Sequence, residues 1–593
     1  MTRLVRAWPH GLVLLSLLGC AAAPGGGAPA HEVVATPGPA AQAASPGRPA
    51  DGTVYWHVAA AHLHAQAGRP AEAIAELRKA LDRDPQSPAL WLLLARWLGQ
   101  RETSRPPSEE GRWADAVAAA QKALTLDPDS VAAHLVLAEL YHAQKRDAEA
   151  AAELEHAIRL NPPAPEPYEM LARYYAERKD HERARAVLER LLTAQPRHAR
   201  AHYLLGRLAI DREAWDDAIA LLRRAVEFDP DQDGAWAALA FVYEQQKKLD
   251  EAVRVYRQAV EANPDNPAIR DRLGELLIRL GRHAEASEEY AQLADQLPNE
   301  PRVWLKLGAV EYERKAYDKA IEALRRALQL EPANLRARFY LAGAYIDAGR
   351  EGEALDELAR ILRADPRSID ARLQLGFLHS RAKRYEEAIR VLTEAINLDP
   401  KRPELFLYLG MAYYRSNQYD RAVRAYEEGL SLDDKHRDLH FQLGVVYEKQ
   451  GKFDAAVTQF ERVITLDPKH AEAYNYVGYM LAEKGIRLDE AERLIRKALE
   501  LEPDNGYFID SLGWAFYQQG RYEEALRELV RAVELTKGKE DPVIYDHLGD
   551  AYLKAGNEAE ALRAWEKALE LDPANEAVKG KVEQIRLRRE GRK

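Results

Sequence analysis

The residues of this chain that could do chemistry begin with three histidines. His57, His62 and His64 lie close together near the start of a long region of helical pattern. Imidazole is a common general base and metal ligand. His62 and His64 are two residues apart, however, so on a helix they point in different directions and cannot share one ion. We therefore predict solvated or packed histidines here, and no metal site.

Acidic pairs are the second group with a possible catalytic role. Glu386-Glu387 and Glu523-Glu524 have the residue type of general acid–base catalysis. Each pair stands at the predicted start of a helix, where negative charge complements the helix dipole. The sequence has no glycine-rich phosphate loop, no serine elbow and no HExxH motif. We predict no enzyme activity, no catalytic residue and no cofactor.

Cys20 is the only cysteine of the chain. A single cysteine excludes an intramolecular disulfide and a cysteine-cluster zinc site. It follows basic residues at positions 3 and 6 and the apolar run 11–18. That run is too short to span a bilayer as a helix but is typical of a signal peptide. The ending Leu17-Leu18-Gly19-Cys20 resembles a bacterial lipobox; the alternative is a plain secretory signal cleaved near residues 21–23.

The lipobox resemblance implies a localisation. Residues 1–19 would be a lipoprotein signal peptide and Cys20 the lipid-modified anchor to the membrane. The next residue is Ala21 and not an aspartate, which in lipoproteins implies the periplasmic side of the outer membrane. Residues 20–53 are rich in Ala, Pro and Gly and predict a tether of roughly 30 Å as a random coil, or up to about 100 Å when extended.

Bulk composition limits the partners. The 593 residues carry a formal net charge of -11, and 30% of them are charged. Binding to phosphate backbones needs a concentrated basic face. This charge balance therefore argues against nucleic acid as a partner.

A proline period defines the elements that must position any binding residue. Prolines recur every 34 residues at positions 128, 162, 196, 230, 264, 298, 332, 366 and 400. Proline cannot continue a helix, so each one marks the end of a helix and the turn that follows. Between two prolines, small residues recur at fixed places, such as Gly206, Ala218 and Ala225. Small residues let two helices approach closely while Leu, Tyr and Trp fill the spaces between them.

This pattern resembles the tetratricopeptide-repeat (TPR) family, whose unit is a 34-residue helix–turn–helix. The resemblance implies an all-α fold: a TPR superhelical solenoid of about 15 repeats over residues 54–574. Residues 575–593 are predicted as a C-terminal capping helix and a basic tail, because a solenoid needs a polar cover at its end. Two departures from the period predict an exposed loop around residues 101–107 and an extra turn at 538–541.

The family resemblance also implies where partners bind. In TPR proteins the first helices line a groove, and a few fixed positions of each repeat face it. In the last three repeats these positions hold Asn475, Tyr479, Asp510, Trp514, Tyr517, Asp546 and Asp550. Aromatic side chains beside an amide or a carboxylate are typical of protein-binding surfaces. The alternative for Tyr479 and Trp514 is packing between helices. The Lys and Asn set of a chaperone-binding carboxylate clamp is not found.

The segment from Asn475 to Trp514 is similar to large outer-membrane TPR lipoproteins that act as adaptors for a periplasmic carboxyl-terminal processing protease. That similarity implies a non-catalytic scaffold that gathers the protease and its cell-wall hydrolase substrates. The alternative is a structural component of an envelope system for export or assembly of polysaccharide, pili or outer-membrane proteins. An enzyme with a TPR arm is disfavoured because the repeats leave no room for a catalytic domain; a cytoplasmic scaffold would require that residues 1–19 are not a signal peptide.

Overall fold

A computed structural model of the protein describes residues 52–100 and 109–590. These residues form 31 helices, and no strand occurs in either described range. They belong to two compact units, one that ends at Arg314 and one that begins at Lys315. We name them the N-terminal unit and the C-terminal unit. The all-α fold class expected from the proline period is confirmed.

Some sequence predictions fall on parts of the chain outside the described residues. These are the signal peptide over 1–19, the lipid-modified Cys20 with the tether up to residue 51, and the loop around 101–107.

The helices of the N-terminal unit are α1 (Gly52–Gln66), α2 (Pro70–Arg83), α3 (Pro88–Gln100), α4 (Glu109–Leu126), α5 (Val131–Ala143), α6 (Asp147–Leu160), α7 (Pro165–Glu177), α8 (His181–Ala194), α9 (Ala199–Asp211), α10 (Trp215–Phe228), α11 (Asp233–Gln245), α12 (Leu249–Ala262), α13 (Pro267–Arg279), α14 (His283–Gln296) and α15 (Pro301–Glu313).

The helices of the C-terminal unit are α16 (Tyr317–Leu330), α17 (Leu335–Asp347), α18 (Glu351–Ala364), α19 (Ile369–Arg381), α20 (Tyr385–Leu398), α21 (Pro403–Arg415), α22 (Tyr419–Leu432), α23 (Arg437–Lys449), α24 (Phe453–Leu466), α25 (Ala471–Glu483), α26 (Leu488–Leu501), α27 (Gly506–Gln518), α28 (Tyr522–Leu535), α29 (Pro542–Lys554), α30 (Glu558–Leu571) and α31 (Glu576–Glu590).

Odd-numbered helices up to α29 are the first helices of the repeats, and even-numbered helices are the second helices. The small residue predicted in each first helix is where the two helices of a hairpin approach most closely. A methyl group on Gly206 would lie 2.7 Å from Cγ of Leu222 in the facing second helix. A methyl group on Gly274 would lie 2.7 Å from the ring of Tyr290. Glycine is needed at these positions because any larger side chain would push the hairpin apart.

Successive repeats are joined by a contact that the sequence alone does not reveal. In several repeats, the side chain six residues after the proline between the repeats donates a hydrogen bond to the carbonyl of that proline, as Trp236 Nε1 does to Pro230 at 2.8 Å. This satisfies a carbonyl exposed by the end of the preceding helix. The same contact is made by Trp91, His202, Arg270, Trp304 and Arg338. Tryptophan, histidine and arginine can make this contact because each carries an N–H donor. Tyr168, Phe406 and Tyr474 hold the same position in other repeats.

Helix α31 caps the C-terminal end, as predicted. Val578, Val582 and Ile585 are buried in one cluster with Trp565 of α30, while most other residues of α31 are charged or polar. Across the described ranges, no helix combines the length and the apolar character needed to cross a bilayer.

Candidate functional site

The predicted partner-binding residues lie on three first helices of the C-terminal unit. Asn475 and Tyr479 are on α25, the predicted residues of repeat fourteen are on α27, and Asp546 and Asp550 are on α29. Helix α27 packs against both α25 and α29. The structure therefore brings the predicted residues together along one face, which we name the groove face.

Trp514 forms the centre of this cluster and is buried. Its ring stacks between Tyr517, with centroids 4.7 Å apart, and His547, with centroids 4.1 Å apart. Its Nε1 donates to Oε2 of Glu483 at 2.8 Å, and the side chain is only 8% exposed. Trp514 is therefore packed among neighbouring side chains and its N–H group is already used, which matches the packing alternative. That Trp514 binds a partner stays a prediction.

His547 and Asp510 form a buried ion pair beside the tryptophan. His547 Nδ1 lies 3.0 Å from Oδ1 of Asp510, and both side chains are almost fully buried. Burial alone would lower the pKa of His547, but the charge and hydrogen bond of Asp510 outweigh it and raise the pKa above its ordinary value. The pair therefore fixes the position of α29 against α27 while His547 is protonated.

Asn475 and Tyr479 occupy the α25 side of the cluster. Tyr479 is half-buried, and burial together with nearby Glu483 and Asp510 raises the pKa of its hydroxyl. Asn475 is buried, and its Oδ1 has no hydrogen-bond partner among the described residues. A buried acceptor without a donor is costly.

Asp546 and Asp550 are engaged by the capping helix. Lys581 Nζ lies 2.7 Å from Oδ1 of Asp546 and 2.7 Å from Oδ2 of Asp550. Both carboxylates therefore hold α31 in place instead of facing a partner as free charges.

A lysine that contacts two carboxylates, which we name a lysine clamp, also occurs in the N-terminal unit. Lys306 Nζ lies 2.6 Å from Asp271 and 2.8 Å from Glu275. In the Lys306 contact and in the His547 pair, the sixth residue of a first helix carries a basic group that reaches the fifth residue of the preceding first helix. In the Lys581 contact, the sixth residue of the capping helix α31 does the same. Sequence reasoning missed His547, Lys581 and Glu483, although an acidic fifth residue followed one repeat later by a basic sixth residue is a readable signal.

The ninth residue of each first helix shows how open the groove face is. In the N-terminal unit this residue is exposed at Arg96, Glu139, Arg173, Arg207, Phe241 and Glu275, and half-buried at Ala309. In the C-terminal unit it is buried at Gly343, Met411, Val445 and Trp514, and half-buried at Phe377, Tyr479 and Asp550. The groove face is thus open in the N-terminal unit and filled by its own side chains in the C-terminal unit.

An open cleft lies on the groove face between α7 and α9. It has a volume of about 470 Å³. Apolar residues such as Met170, Ala176 and Leu204 form part of its lining. The charged residues of the lining are Arg173, Arg200, Arg207, Glu166, Glu169, Glu177 and Asp211. Apolar side chains beside polar groups that fix orientation are typical of a binding cleft. Applying the groove positions to the earlier repeats would have identified Arg173 and Arg207 from the sequence.

The histidines near the start of the chain contact different side chains and do not converge on one site. His57 Nδ1 contacts Glu76 at 2.7 Å, while the ring of His62 meets the edge of Trp97 at a centroid distance of 5.2 Å. Within the described ranges, no group of three or more His, Cys, Asp or Glu side chains is placed to hold a metal ion.

Comparison with known proteins agrees with the repeat architecture. Models of the tetratricopeptide repeat match residues 55–97, 108–174, 169–233 and 233–276. A model of the cilia and flagella-associated protein 70 C-terminal domain matches residues 260–463 and again 368–585. The two matches of one model overlap, as happens when a repeat array aligns in more than one register.

Individual relatives are similar over limited stretches or at low identity. A TPR repeat-containing protein of Pseudomonas aeruginosa is 43% identical over 60 residues, which is 10% of this chain and 10% of that protein. The Cut9–Hcn1 structure of the APC/C hetero-tetramer is 16% identical, with 79% of this chain and 98% of that chain covered and a TM-score of 0.38. The structure of MamA is 28% identical, with 28% and 95% covered and a TM-score of 0.26.

The family matches extend from residue 55 to residue 585, and the described part of the chain is built of hairpins with the same period. The chain belongs to the tetratricopeptide-repeat family.

Proposed function

We propose that this protein is a non-catalytic scaffold that holds extended segments of partner proteins on its groove face. Solenoids of tetratricopeptide repeats bind other proteins or peptides. The cleft between α7 and α9 is the observation that carries the proposal for this chain. Its apolar residues would accept a hydrophobic side chain, while Arg207 would contact a carboxylate or carbonyl oxygen and the carboxylates of the lining would contact N–H groups of the bound segment.

The C-terminal groove face would act as a second binding site. The half-buried edges of Tyr479 and Tyr517 would supply apolar contact area to a bound chain. Two weak binding sites on one chain would raise the affinity for a long partner, because binding at the second site becomes intramolecular.

The proposed setting is the periplasmic side of the outer membrane, with the membrane anchor formed by lipid on Cys20. The lipobox-like sequence before Cys20 supports the anchor. Similarity of the segment Asn475 to Trp514 to large TPR lipoproteins supports a role as adaptor for a carboxyl-terminal processing protease and cell-wall hydrolases. Labelled palmitate tests the anchor directly: the intact chain should take up label, and Cys20→Ser should take up none. Equal labelling of the two proteins would contradict the lipid anchor.

The binding proposal is tested by capturing partners from detergent-solubilised envelopes with the full-length protein as bait, followed by mass spectrometry. The cleft variants are Arg207→Glu, which reverses an exposed charge, and Leu204→Glu, which places a charge among the apolar residues of the cleft. Tyr479→Ala tests the second binding site, because Tyr479 is half-buried on the C-terminal groove face. The control is Val530→Glu, because Val530 is an exposed apolar residue on the second helix α28.

We expect the cleft variants to lose partners several-fold while the control keeps them, with unchanged circular dichroism for all four. Equal capture by the cleft variants and the intact chain would contradict the proposal. Recovery of a processing protease with cell-wall hydrolases would support the adaptor role. Recovery of export or pilus components would replace that role with the assembly alternative.

A further inference from the structure

The first helix of the array exposes a face that is buried in the first helices from α5 onward. From α5 to α29, the third and tenth residues of each first helix are buried. In α23 the third residue, Leu439, lies against Gly429 of the preceding second helix. Counted from Val54, the same two positions of the first repeat hold Trp56 and Leu63, which are 63% and 65% exposed. No helix precedes α1 among the described residues, so these two side chains lack the cover that the repeat geometry provides elsewhere.

The composition of α1 is that of a helix packed on more than one side. It is the only described helix without a single Asp, Glu, Lys or Arg residue. A helix that is apolar around most of its circumference is normally buried. Tyr55, next to Trp56, is 68% exposed as well. We name Tyr55, Trp56 and Leu63 the end patch.

The other end of the array does not share this feature. At the C-terminal end, α31 covers α30 and presents charged residues outward, and its one large exposed apolar residue is Leu587, which is 61% exposed. A solenoid end needs a polar cover for solubility. The end patch is therefore an interaction surface and not an ordinary terminus.

We propose that the end patch binds the end patch of a second copy of this chain. The α1 helix of each copy takes the place that a preceding second helix fills in later repeats. A two-fold contact brings identical surfaces together, and this is favourable here because α1 carries no Asp, Glu, Lys or Arg that would face its own copy, and its only titratable groups besides Tyr55 are three histidines. The exposed surface of the three side chains is roughly 400 Å², which matches the apolar share of a typical ~800 Å² half-interface.

Two other occupants fit less well. A membrane surface with anionic headgroups attracts Lys and Arg, but α1 has none and the chain carries a net charge of -11. The second alternative occupant is a helix formed by the segment of this chain just before α1. That segment has prolines at 24, 29, 37, 39, 46 and 49. No proline-free stretch between them approaches the 14 residues of a typical second helix, and proline does not fit within a helix.

The first test measures the oligomeric state of the full chain carrying Cys20→Ser, so that no lipid contributes to association. Light scattering after size exclusion should show a dimer. The double variant Trp56→Glu/Leu63→Glu should raise the dissociation constant at least roughly ten-fold. Leu587→Glu, with similar exposure at the opposite end, should leave the dimer unchanged. A monomer at tens of micromolar, or a dimer that is insensitive to the double variant, would overturn the proposal.

The second test uses the absence of other cysteines in the Cys20→Ser chain. Single cysteines are placed by Trp56→Cys, Leu63→Cys and Leu587→Cys, and the proteins are oxidised and separated on a non-reducing gel. We expect a cross-linked dimer for one or both end-patch cysteines and none for Leu587→Cys. Equal cross-linking at both ends would contradict a specific contact. A monomer in which Leu63→Cys is shielded from maleimide would mean that another segment of the same chain covers the end patch, which also overturns the proposal.

Discussion

The ninth residue of the first helix has different roles in the two units. In the N-terminal unit it is an exposed charge or aromatic ring at positions such as Arg173 and Phe241, and in the C-terminal unit it is buried at Met411, Val445 and Trp514. The repeat places this residue on the groove face in both units. Whether it reaches solvent depends on the size of the side chains on the neighbouring first helices. A family position therefore predicts the location of a residue but not its accessibility.

The largest difference in stability loss between the two units should come from removing an aromatic ring at the ninth position. Trp514→Ala removes a ring stacked between Tyr517 and His547 and leaves Glu483 without its N–H donor. We expect it to lower the free energy of unfolding of the C-terminal unit by about 3–5 kcal/mol. Phe241→Ala, at a ring that is 44% exposed, should cost less than about 1 kcal/mol in the N-terminal unit. Denaturant unfolding combined with hydrogen exchange assigns each loss to its unit, and equal losses would contradict the difference between the two groove faces.

The next largest difference in stability loss between the two units should come from introducing a charge at the ninth position. Val445→Lys places an ammonium at a buried position and should cost about 3 kcal/mol, because the long stem only partly relieves the burial. Glu139→Lys introduces the same residue at the matching exposed position and should change stability by less than about 0.5 kcal/mol. Thermal unfolding of both variants measures the comparison. A comparable loss for Glu139→Lys would show that the N-terminal groove face is not open.

The His547–Asp510 pair should make the C-terminal unit sensitive to pH. The pKa of His547 is raised above its ordinary value of 6.5, so its stabilisation is complete below that value and is lost as the pH rises through the folded pKa. Asp510→Asn should cost about 2 kcal/mol at pH 6 and should flatten this dependence. Hydrogen exchange of α27 and α29 between pH 5.5 and 8.5 reports the change. A slope that persists in Asp510→Asn would assign the dependence to another group.

The smallest effects belong to the lysine clamps, which both units share. Lys306→Met and Lys581→Met each remove two ion pairs from a partly exposed position. We expect each variant to lose about 1 kcal/mol, because partly screened pairs contribute little. Similar losses in both units would show that the units differ in the ninth residue and not in how their first helices are linked. A loss above about 3 kcal/mol for one lysine alone would contradict this.

The fold could be predicted from the sequence because its signals are local. Each proline ends a helix, and each small residue marks a close approach within one hairpin, as Gly206 does against Leu222. The capping helix was predictable for the same reason, since apolar residues such as Val578 and Val582 recur on one side of a polar helix.

The site could be predicted only in part, because it depends on contacts between repeats. The groove positions correctly placed Asn475 and Tyr479 on one face with Trp514, but they did not show that His547 and Glu483 close over the tryptophan. The pairing of Asp510 with His547 crosses 37 residues, since the extra turn before α29 lengthens the repeat. The open cleft between α7 and α9 depends on the side chains of two neighbouring first helices, which no single repeat reveals.

The central claim is that partners bind on the open groove face of the N-terminal unit, and photo-cross-linking in cells tests it most directly. A photoreactive phenylalanine is placed in turn at Arg207 in the cleft and at Val530 on the second helix α28, both of which are exposed. Cross-linked products are identified by mass spectrometry. We expect defined partner adducts at position 207 and none above background at position 530. Adducts of equal yield and identity at both positions would contradict the central claim.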